Sequence, residues 1–306
     1  MVARSDVKLW TIDHRLWTKK LLTTDSELPT EKMSQVHYFE HEQVKAIKTG
    51  HSYWGKPFFF VHVYWLDGLL IDSGQRKMKK HILKFAQELN IEQIALTHHH
   101  EDHSGNIKAL QTQHPQVPIW AGNETRSLVK TGFKIKNYQK FVFGNMIPTD
   151  GLQPLPPEIK TSQYTLTPIF TPGHASDHYS FLEKSKGWLF SGDLYLGKIK
   201  FTRQDEHVPQ MIQSIKTVLQ YDFDTLFCAH HPRLKEGKRH MQAKLQYLED
   251  LTGKVRQLYA QGHHIQKIIS LLGRKEVRFA KLYTSNDVGV DYMIRSILED
   301  KVEEYF

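Results

Sequence analysis

Apolar and polar residues recur with two different periods along the chain. Residues 36–49 and 57–74 are rich in alternating apolar, aromatic and β-branched positions, and Asp67 and Gly68 supply a turn within the second stretch. Residues 77–90 instead carry apolar side chains at helical spacing. Short strand patterns then alternate with helical ones up to residue 132. This order predicts an α/β protein whose helices pack on the outer faces of its sheets.

The second half of the chain continues this mixture and then becomes helical. A Pro-rich linker precedes a strand-rich segment at residues 164–195, and a helix near 208–220 is followed by a strand at 225–229. The remaining helical patterns lie at residues 237–262, 262–273 and 285–300.

Three parts are therefore expected. Residues 1–33 have little periodicity and predict a poorly ordered N-terminal extension. Residues 34–235 predict the main domain, which would carry the chemistry, and residues 236–306 a basic helical C-terminal subdomain.

The composition is that of an ordinary globular protein. Of the 306 residues, 40% are hydrophobic and 24% are charged, and no apolar run reaches the length needed to cross a membrane. The N-terminus has no continuous apolar core, and Asp6 and Asp13 are atypical of a transit peptide. The single cysteine, Cys228, excludes an internal disulfide and a cysteine-based metal site. We predict a cytoplasmic protein that does not bind a membrane.

Positive charge is concentrated towards the C-terminus. Residues 233–282 contain 12 Lys and Arg against 4 Asp and Glu, an excess equal to the formal net charge of +8 of the whole chain. A basic segment on a neutral body favours an anionic substrate or partner. A lysine-rich helix face that is merely solvated would have the same composition, so both interpretations stay open.

The densest polar segment is LTHHHEDHSGN at residues 96–106, which carries four histidines and two carboxylates after an apolar strand pattern. Side chains two apart on an extended chain point the same way, so His98 and His100 can share one ion. Asp102 and His103 follow where the chain turns into a helix that we expect Ser104 to cap. Neutral imidazoles and carboxylates are ligands of Zn, Fe and Mn, and a metal relieves the repulsion between protonated histidines. The spacing therefore predicts a metal site.

Further ligands must come from elsewhere, because one loop cannot complete a site. His174 in TPGH, Asp193 in SGD and His230 after TLFCA each lie at a predicted strand end beside small or turn-forming residues. A carboxylate can bridge two cations, so Asp193 is the candidate bridging ligand. Two ions with a bridging hydroxide combine a nucleophile with a Lewis acid, which predicts a metal-dependent hydrolase.

These motifs, in this order, resemble the metallo-β-lactamase superfamily over about residues 36–232. Asp72 in LLIDSG and THHHEDH at residues 97–103 are similar to its first two motifs, and His174, Asp193 and His230 are similar to the other three. The resemblance implies an α/β fold, an αββα metallo-β-lactamase sandwich with a C-terminal helical extension, and a site at one edge between the sheets.

The resemblance also implies a dinuclear site for two divalent metal ions, with zinc as the first expectation and iron or manganese as alternatives. Asp193 would bridge the ions, and Asp72 would support the ligands without touching a metal. The other implied ligands are His98, His100 and His174 for one ion and Asp102, His103 and His230 for the other.

Departures from the family pattern narrow the function. Asp193 stands where the zinc β-lactamases carry a cysteine, so antibiotic hydrolysis is not expected. His100 stands where the diiron flavoprotein oxygen reductases carry a glutamate, which favours hydrolysis over redox chemistry, and Glu101 is expected to point away from the metals. The last motif is AHHP, so His231 stays an alternative to His230.

The sequence does not decide which bond is cut. His178, in GHASDHYSF, could donate a proton to a leaving group or contact a phosphate, so it joins Asp102 and Asp193 as a catalytic candidate, and its alternative is a structural histidine. The first hypothesis is hydrolysis of a small, anionic ester, thioester or lactone. The alternatives are a phosphodiesterase or endoribonuclease that binds nucleic acid through the basic tail, and an effector that holds metals without turnover. The oligomeric state is left open.

Overall fold

The computed structural model describes residues 34–53, 57, 59–276 and 278–299. The predicted N-terminal extension at residues 1–33 lies outside the described residues. Within them, no helix is both long enough and apolar enough to cross a membrane.

Seven strands form the first sheet and follow one another in chain order. β1 to β4 pair antiparallel, whereas β4 to β7 pair parallel. The strands are β1 (Ser34–His41), β2 (Val44–His51), β3 (Val61–Leu66), β4 (Leu69–Ile71), β5 (Gln93–Ala95), β6 (Ile119–Ala121) and β7 (Gln153–Pro154). The predicted turn at Asp67 and Gly68 is confirmed, because Leu66 pairs with Leu69 across it.

The second sheet has five strands. In spatial order they are β13 (Thr225–Cys228), β11 (Trp188–Gly192), β10 (Tyr179–Glu183), β9 (Thr165–Phe170) and β8 (Ile159–Lys160). β11 and β13 run parallel, and the helix between them lies on the outer face. A separate two-stranded sheet joins β12 (Thr202–Arg203) to β14 (Val288–Gly289) near the end of the described chain.

The helices lie mainly where apolar residues recur at helical spacing. They are α1 (Lys79–Gln87), α2 (Ile107–Gln113), α3 (Asn123–Thr131), α4 (Asn137–Val142), α5 (Val208–Leu219), α6 (Gly237–Ala260), α7 (Ile265–Leu271), α8 (Arg278–Tyr283) and α9 (Val290–Leu298). A 3-10 turn, Arg76–Met78, leads into α1.

Three apolar clusters define the layers. The central cluster lies between the sheets and joins residues such as Tyr64 and Ile71 of the first sheet to Phe181, Phe190 and Phe227 of the second. A second cluster packs α1 and α2 against the first sheet, and a third packs α5 against the second. This is the expected αββα sandwich, with helices covering both outer faces.

The C-terminal helices share their core with the second sheet. Leu248 and Val255 of α6 and Met293 and Ile297 of α9 belong to the same cluster as Leu189 of β11. α6 also buries Lys244, whose Nζ donates a 2.7 Å hydrogen bond to the Leu194 carbonyl. The predicted boundary between residues 235 and 236 stays a prediction.

The local expectation at Ser104 was wrong. α2 begins at Ile107 after the N-cap Asn106, which forms no side-chain cap. The Ser104 hydroxyl instead donates to the carbonyls of His99 and His100, because the chain makes a tight turn before the helix. Ser104 therefore fixes the turn that carries the histidines and does not cap the helix.

Candidate metal centre

The predicted site residues come from loops that leave the two sheets at one edge. β5 leads through Leu96 into the histidine-rich loop, and Asp193 follows β11 directly. His174 lies between β9 and β10, and His230 lies just after β13. Because β5, β11 and β13 all end at this edge, residues far apart in sequence come together there.

His98, His100 and His174 form the first group that could hold a metal ion. Their ligand atoms lie within 4.8 Å of one another, and all three side chains are buried. His174 Nε2 lies 3.1 Å from His100 Nδ1, so these two nitrogens face the same point.

Asp102, His103 and His230 form a second group with the same 4.8 Å spread. Asp193 lies between the two groups, because its Oδ2 is 3.3 Å from His174 Nε2 and 3.3 Å from His230 Nε2. Its Oδ1 is 3.4 Å from His103 Nε2. The Asp193 carboxylate thus faces both groups.

Outward hydrogen bonds fix the orientation of several of these rings. His103 Nδ1 donates to Asp72 Oδ2 at 2.8 Å, and His230 Nδ1 donates to the Phe60 carbonyl at 2.7 Å. Asp72 also accepts from the backbone N–H of Thr97 at 2.8 Å and from its hydroxyl. With their Nδ1 atoms engaged, His103 and His230 present Nε2 to the site, which is the arrangement that typically supports metal-bound histidines.

The position of Asp72 requires an uncommon backbone conformation. Its φ is +64°, in the left-handed region that non-glycine residues seldom adopt. This turn directly after β4 points the carboxylate towards Thr97 and His103. The sequence expectation that Asp72 supports the ligands fits this geometry.

Burial and neighbouring charges set the protonation of the cluster. Burial lowers the pKa of His98 and of His100 well below the usual value, and surrounding histidines lower the pKa of His98 further. Burial opposes the charged form of His103, but the carboxylates of Asp193, Asp72 and Asp102 raise its pKa well above the usual value. Burial would raise the pKa of Asp193, yet His230 and His103 hold it well below the usual range. Burial also opposes the charged form of His174, but Glu206 and Asp193 raise its pKa above the usual value. Burial therefore favours neutral His98 and His100, whereas His174 and the second group balance imidazoles against carboxylates.

Several buried polar atoms at this point have no hydrogen-bond partner among the described residues. They include His98 Nε2, His103 Nε2 and Asp193 Oδ1. Buried polar atoms are normally paired, and a divalent ion is a partner that suits imidazole nitrogens and carboxylate oxygens together. The donor set and its orphaned atoms fit one or more divalent metal ions.

The two residues between the ligands of the loop have other partners. The backbone N–H of His99 donates to Asp177 Oδ2 at 2.8 Å, and His99 Nδ1 lies 2.9 Å from Asp177 Oδ1. Glu101 is buried and accepts a 2.8 Å hydrogen bond from Gln139 Nε2 of α4. Neither residue belongs to a candidate metal group, in line with the expectation for Glu101.

His178 is fully buried beside His98, and both of its ring nitrogens are engaged within the protein. Its Nδ1 lies 2.8 Å from the Thr171 hydroxyl, and its Nε2 accepts a 3.0 Å hydrogen bond from the backbone N–H of Asp193. A Cβ at Gly192 would lie 2.5 Å from that Nε2, so a glycine is needed there. The geometry favours the alternative of a structural histidine that positions Asp193 over a proton donor to substrate.

His230 and His231 are clearly different in position. His230 faces Asp102, with 3.4 Å between Nε2 and Oδ2, whereas His231 is exposed and belongs to no candidate metal group. The geometry therefore favours His230 as the final ligand candidate.

Two residues beside the first group were not found from the sequence. Glu206 is buried, and its Oε1 lies 3.7 Å from His174 Nδ1. Arg203 adds its positive charge to the effect of burial in lowering the pKa of His100. Neither residue belongs to a recognisable sequence motif. Their positions depend on β12 and the following turn, which are held by contacts with the distant residues 287–289.

Some lysines and arginines of the basic C-terminal segment form ion pairs on the surface. Lys238 pairs with Asp222 at 2.8 Å, Arg239 with Glu236 at 2.7 Å, and Lys281 with Asp291. Lys244 points into the core. This use of the charges supports the simpler interpretation of the basic segment, a solvated and paired helix surface.

Comparison with known sequences connects this edge site to a large family. The sequence model of the metallo-beta-lactamase superfamily matches residues 57–230, which is more than half of the chain. A hydroxyacylglutathione hydrolase of Legionella pneumophila (strain Corby) is 29% identical over 160 residues, covering 51% of this chain and 56% of that protein. The protein of the same name from strain Lens is 28% identical over the same length. The chain thus spans about half the length of the curated relatives that it matches.

Solved structures give the same picture of the fold. A beta-lactamase domain protein from Burkholderia ambifaria has a TM-score of 0.62 at 13% identity, covering 86% of this chain and 88% of that one. A metallo-beta-lactamase family protein from Thermus thermophilus has a TM-score of 0.57 at 16% identity, covering 83% of this chain and 92% of that one. At such identities the likeness concerns the fold alone.

Proposed function

Because the chain belongs to the metallo-β-lactamase superfamily and its candidate ligands converge on one carboxylate, we propose that it is a metal-dependent hydrolase of a small thioester or a related ester or lactone. The observation that carries the proposal is the position of Asp193, whose oxygens lie 3.3–3.4 Å from His103, His174 and His230. A carboxylate so placed suits the space between two cations.

The proposed ligand set follows the two groups. His98, His100 and His174 would hold one ion, Asp102, His103 and His230 the other, and Asp193 would bridge them. Nitrogen and oxygen donors of this kind suit zinc first, with iron and manganese as alternatives. When bound, such ions polarise the scissile carbonyl and make water a stronger nucleophile at neutral pH.

The protein side chains would orient the reactants and manage protons. Burial opposes ionisation of Asp102, but His103 and His230 lower the pKa of its carboxyl, so it stays an acceptor for the proton of the attacking water. The water oxygen would bond to the carbonyl carbon as Asp102 accepts the water proton, the carbon–sulfur bond would break, and the thiolate would leave as a thiol after taking that proton back from Asp102. His178 would act indirectly by holding the Asp193 backbone.

Thioesters are placed first for two reasons. The curated relatives are named hydroxyacylglutathione hydrolases, and a thioester is the group that such a name specifies. Some cations of the basic segment also have carboxylate partners of their own, such as Asp222 for Lys238, which weakens the argument for a nucleic-acid substrate. We do not assign a particular thiol.

The test combines metal content with turnover. Native protein should contain divalent metal, and it should hydrolyse a simple thioester faster than a lactone, a bis-aryl phosphodiester or single-stranded RNA. Asp193→Ala should abolish turnover while the far-ultraviolet circular dichroism is retained. Asp222→Ala, a matched change of an exposed surface aspartate, should leave the rate unchanged.

The outcomes separate the alternatives. Preferential cleavage of the phosphodiester or RNA would replace the proposal by the phosphodiesterase. Metal without turnover of any substrate would favour the effector. Protein free of metal whose folding ignores chelators would refute the metal centre itself.

A further inference from the structure

Lys244 is a buried cation in the middle of an otherwise apolar helix face. It lies on α6 between Met241 and Leu248, at the helical spacing of core positions, and only 2% of its surface is exposed. Within the described part of the chain, its only hydrogen-bond partner is the Leu194 carbonyl, 2.7 Å from Nζ. Taking an ammonium group out of water is costly, and an apolar side chain of similar volume often stabilises such a position equally well or better. The lysine therefore requires a reason other than stability.

Burial leaves Lys244 charged at neutral pH. Burial lowers the pKa of its ammonium group to about 8, against the opposing effects of Cys228, Glu206 and Asp193. Because the charged form still predominates at pH 7, the hydrogen bond to the Leu194 carbonyl is charge-assisted and stronger than one from a neutral donor.

The carbonyl that Lys244 binds belongs to the residue directly after Asp193. The turn that follows β11 is held by hydrogen bonds on both sides of Asp193. On the N-terminal side, Asp193 N–H donates to His178 Nε2 at 3.0 Å, and Leu194 N–H donates to the Ser191 carbonyl at 3.0 Å. On the C-terminal side, the Leu194 carbonyl accepts from Lys244. This last contact connects the turn to the C-terminal helices.

We propose that Lys244 is a positioning residue for the candidate bridging ligand: by holding the Leu194 carbonyl, it fixes the Asp193 carboxylate between the two ligand groups. The oxygens of that carboxylate lie 3.3–3.4 Å from histidine nitrogens of both groups, so a small shift of the turn would favour one group over the other. Groups that orient a metal ligand from outside typically matter to metal affinity nearly as much as the ligand itself. The inference rests on the metal centre of the proposed function, and it makes α6 a part of that centre.

The first experiment loads wild-type protein and Lys244→Met with Mn²⁺ and records electron paramagnetic resonance spectra. Two Mn²⁺ ions that share a bridging carboxylate are magnetically coupled, and their spectrum differs from that of separate ions. Wild-type protein should give the coupled spectrum. Lys244→Met should give the spectrum of separate ions and bind the second ion about tenfold more weakly, as measured by the signal of free Mn²⁺ during a titration.

Two changes in the same helix are the controls. Lys254→Met removes a lysine from the exposed side of α6 and should keep the coupled spectrum and both dissociation constants. Leu248→Ala removes packing from the core cluster on the buried side. It should lower the urea concentration at the midpoint of unfolding and still give the coupled spectrum, which separates positioning from general loss of stability.

A second variant of Lys244 distinguishes the two roles further. Lys244→Arg keeps the charge and an N–H donor but adds volume to a packed core, so it should unfold at lower urea than wild type and keep the coupled spectrum. Metal-free Lys244→Met should unfold close to the wild-type midpoint, because losing the buried charge offsets the unpaired carbonyl. A role confined to the core would make the spectra follow the stabilities.

The outcomes also separate this inference from the hydrolase proposal, since no substrate is used. A coupled spectrum and unchanged dissociation constants in Lys244→Met would overturn the positioning role, and so would a Lys244→Met protein that does not fold. Wild-type protein without a coupled ion pair would refute the Asp193 bridge and the positioning role together. If the spectra differ as expected and no thioester is hydrolysed, the hydrolase proposal fails and the role of Lys244 stands.

Discussion

Asp72→Asn is the sharpest test of how the site is supported, because it changes one atom and touches no proposed ligand position. The Asp72 carboxylate accepts from Thr97 N–H and from His103 Nδ1, each at 2.8 Å, and from the Thr97 hydroxyl. An asparagine has only one oxygen, so it can accept from Thr97 or from His103 but not from both as the carboxylate does. The charge that keeps the His103 ring in its orientation is lost as well.

The size of the effect follows from these contacts. Losing a hydrogen bond to a charged group costs about 1.5–3 kcal/mol, and changing the outward partner of a metal-binding histidine weakens metal binding about 10- to 100-fold, which corresponds to about 1.4–2.7 kcal/mol. We therefore expect the dissociation constant for zinc to rise by one to two orders of magnitude. Competition with a chelator of known affinity at fixed pH measures it.

Asp67→Asn is a matched control at the other end of the same strand. Asp67 accepts from the Ser162 hydroxyl at 2.8 Å and from Gln163 N–H at 2.7 Å, away from the site. It should change stability without changing the dissociation constant. If folded Asp72→Asn protein binds zinc within about twofold of wild type, outward support of His103 is refuted.

Two further changes test the backbone and the protonation of the site. Gly173→Ala would place a Cβ 2.4 Å from Met211 N at a φ of +129°, so it should lower the free energy of unfolding by about 1–3 kcal/mol and weaken metal binding through the adjacent His174. The control Gly253→Ala, which has open space around it in α6, should raise the free energy of unfolding by about 0.5–1 kcal/mol. Urea unfolding measures both variants, and a wild-type value for Gly173→Ala would contradict the geometry. Burial lowers the pKa of His62 from 6.5 to about 4, so the folded state resists a proton that the unfolded state accepts, and stability should fall by up to about 3 kcal/mol as pH drops from 6.5 towards 4. In chelated protein His62→Gln should lose less stability between pH 7 and pH 5 than wild type or the exposed variant His37→Gln, and an equal loss would refute this assignment.

Much of the fold could be predicted because many of its helices and strands have a local periodicity of apolar residues. The helical spacing at residues 77–90 corresponds to α1, and the strand before the histidine loop corresponds to β5. α4 was missed because its residues have no apolar period, and what holds it is distant: Gln139 bonds Glu101. The two-residue strands β12 and β14 were missed for the same reason, since neither exists without the other.

The site likewise contains residues that a local sequence pattern identifies and residues that only distant contacts bring into place. Histidines and aspartates at strand ends could be found from their chemistry and spacing, and the structure brings the seven of them together. The surrounding residues could not be found in that way. Glu206 beside His174 depends on how the chain crosses the site, and the inward-buried His178 reveals its role only through its contact with Asp193 N–H.

The contacts of Asp287 have a consequence for the order in which the protein is built. Asp287 joins Lys136, Tyr138 and Arg203, yet it follows all the candidate ligand residues in the sequence. Since a chain leaves the ribosome from its N-terminus, His230 and the ligands before it emerge before this last contact can form. The seven candidate ligand residues can therefore come together before β12 is fixed by its contacts with residues 287–289.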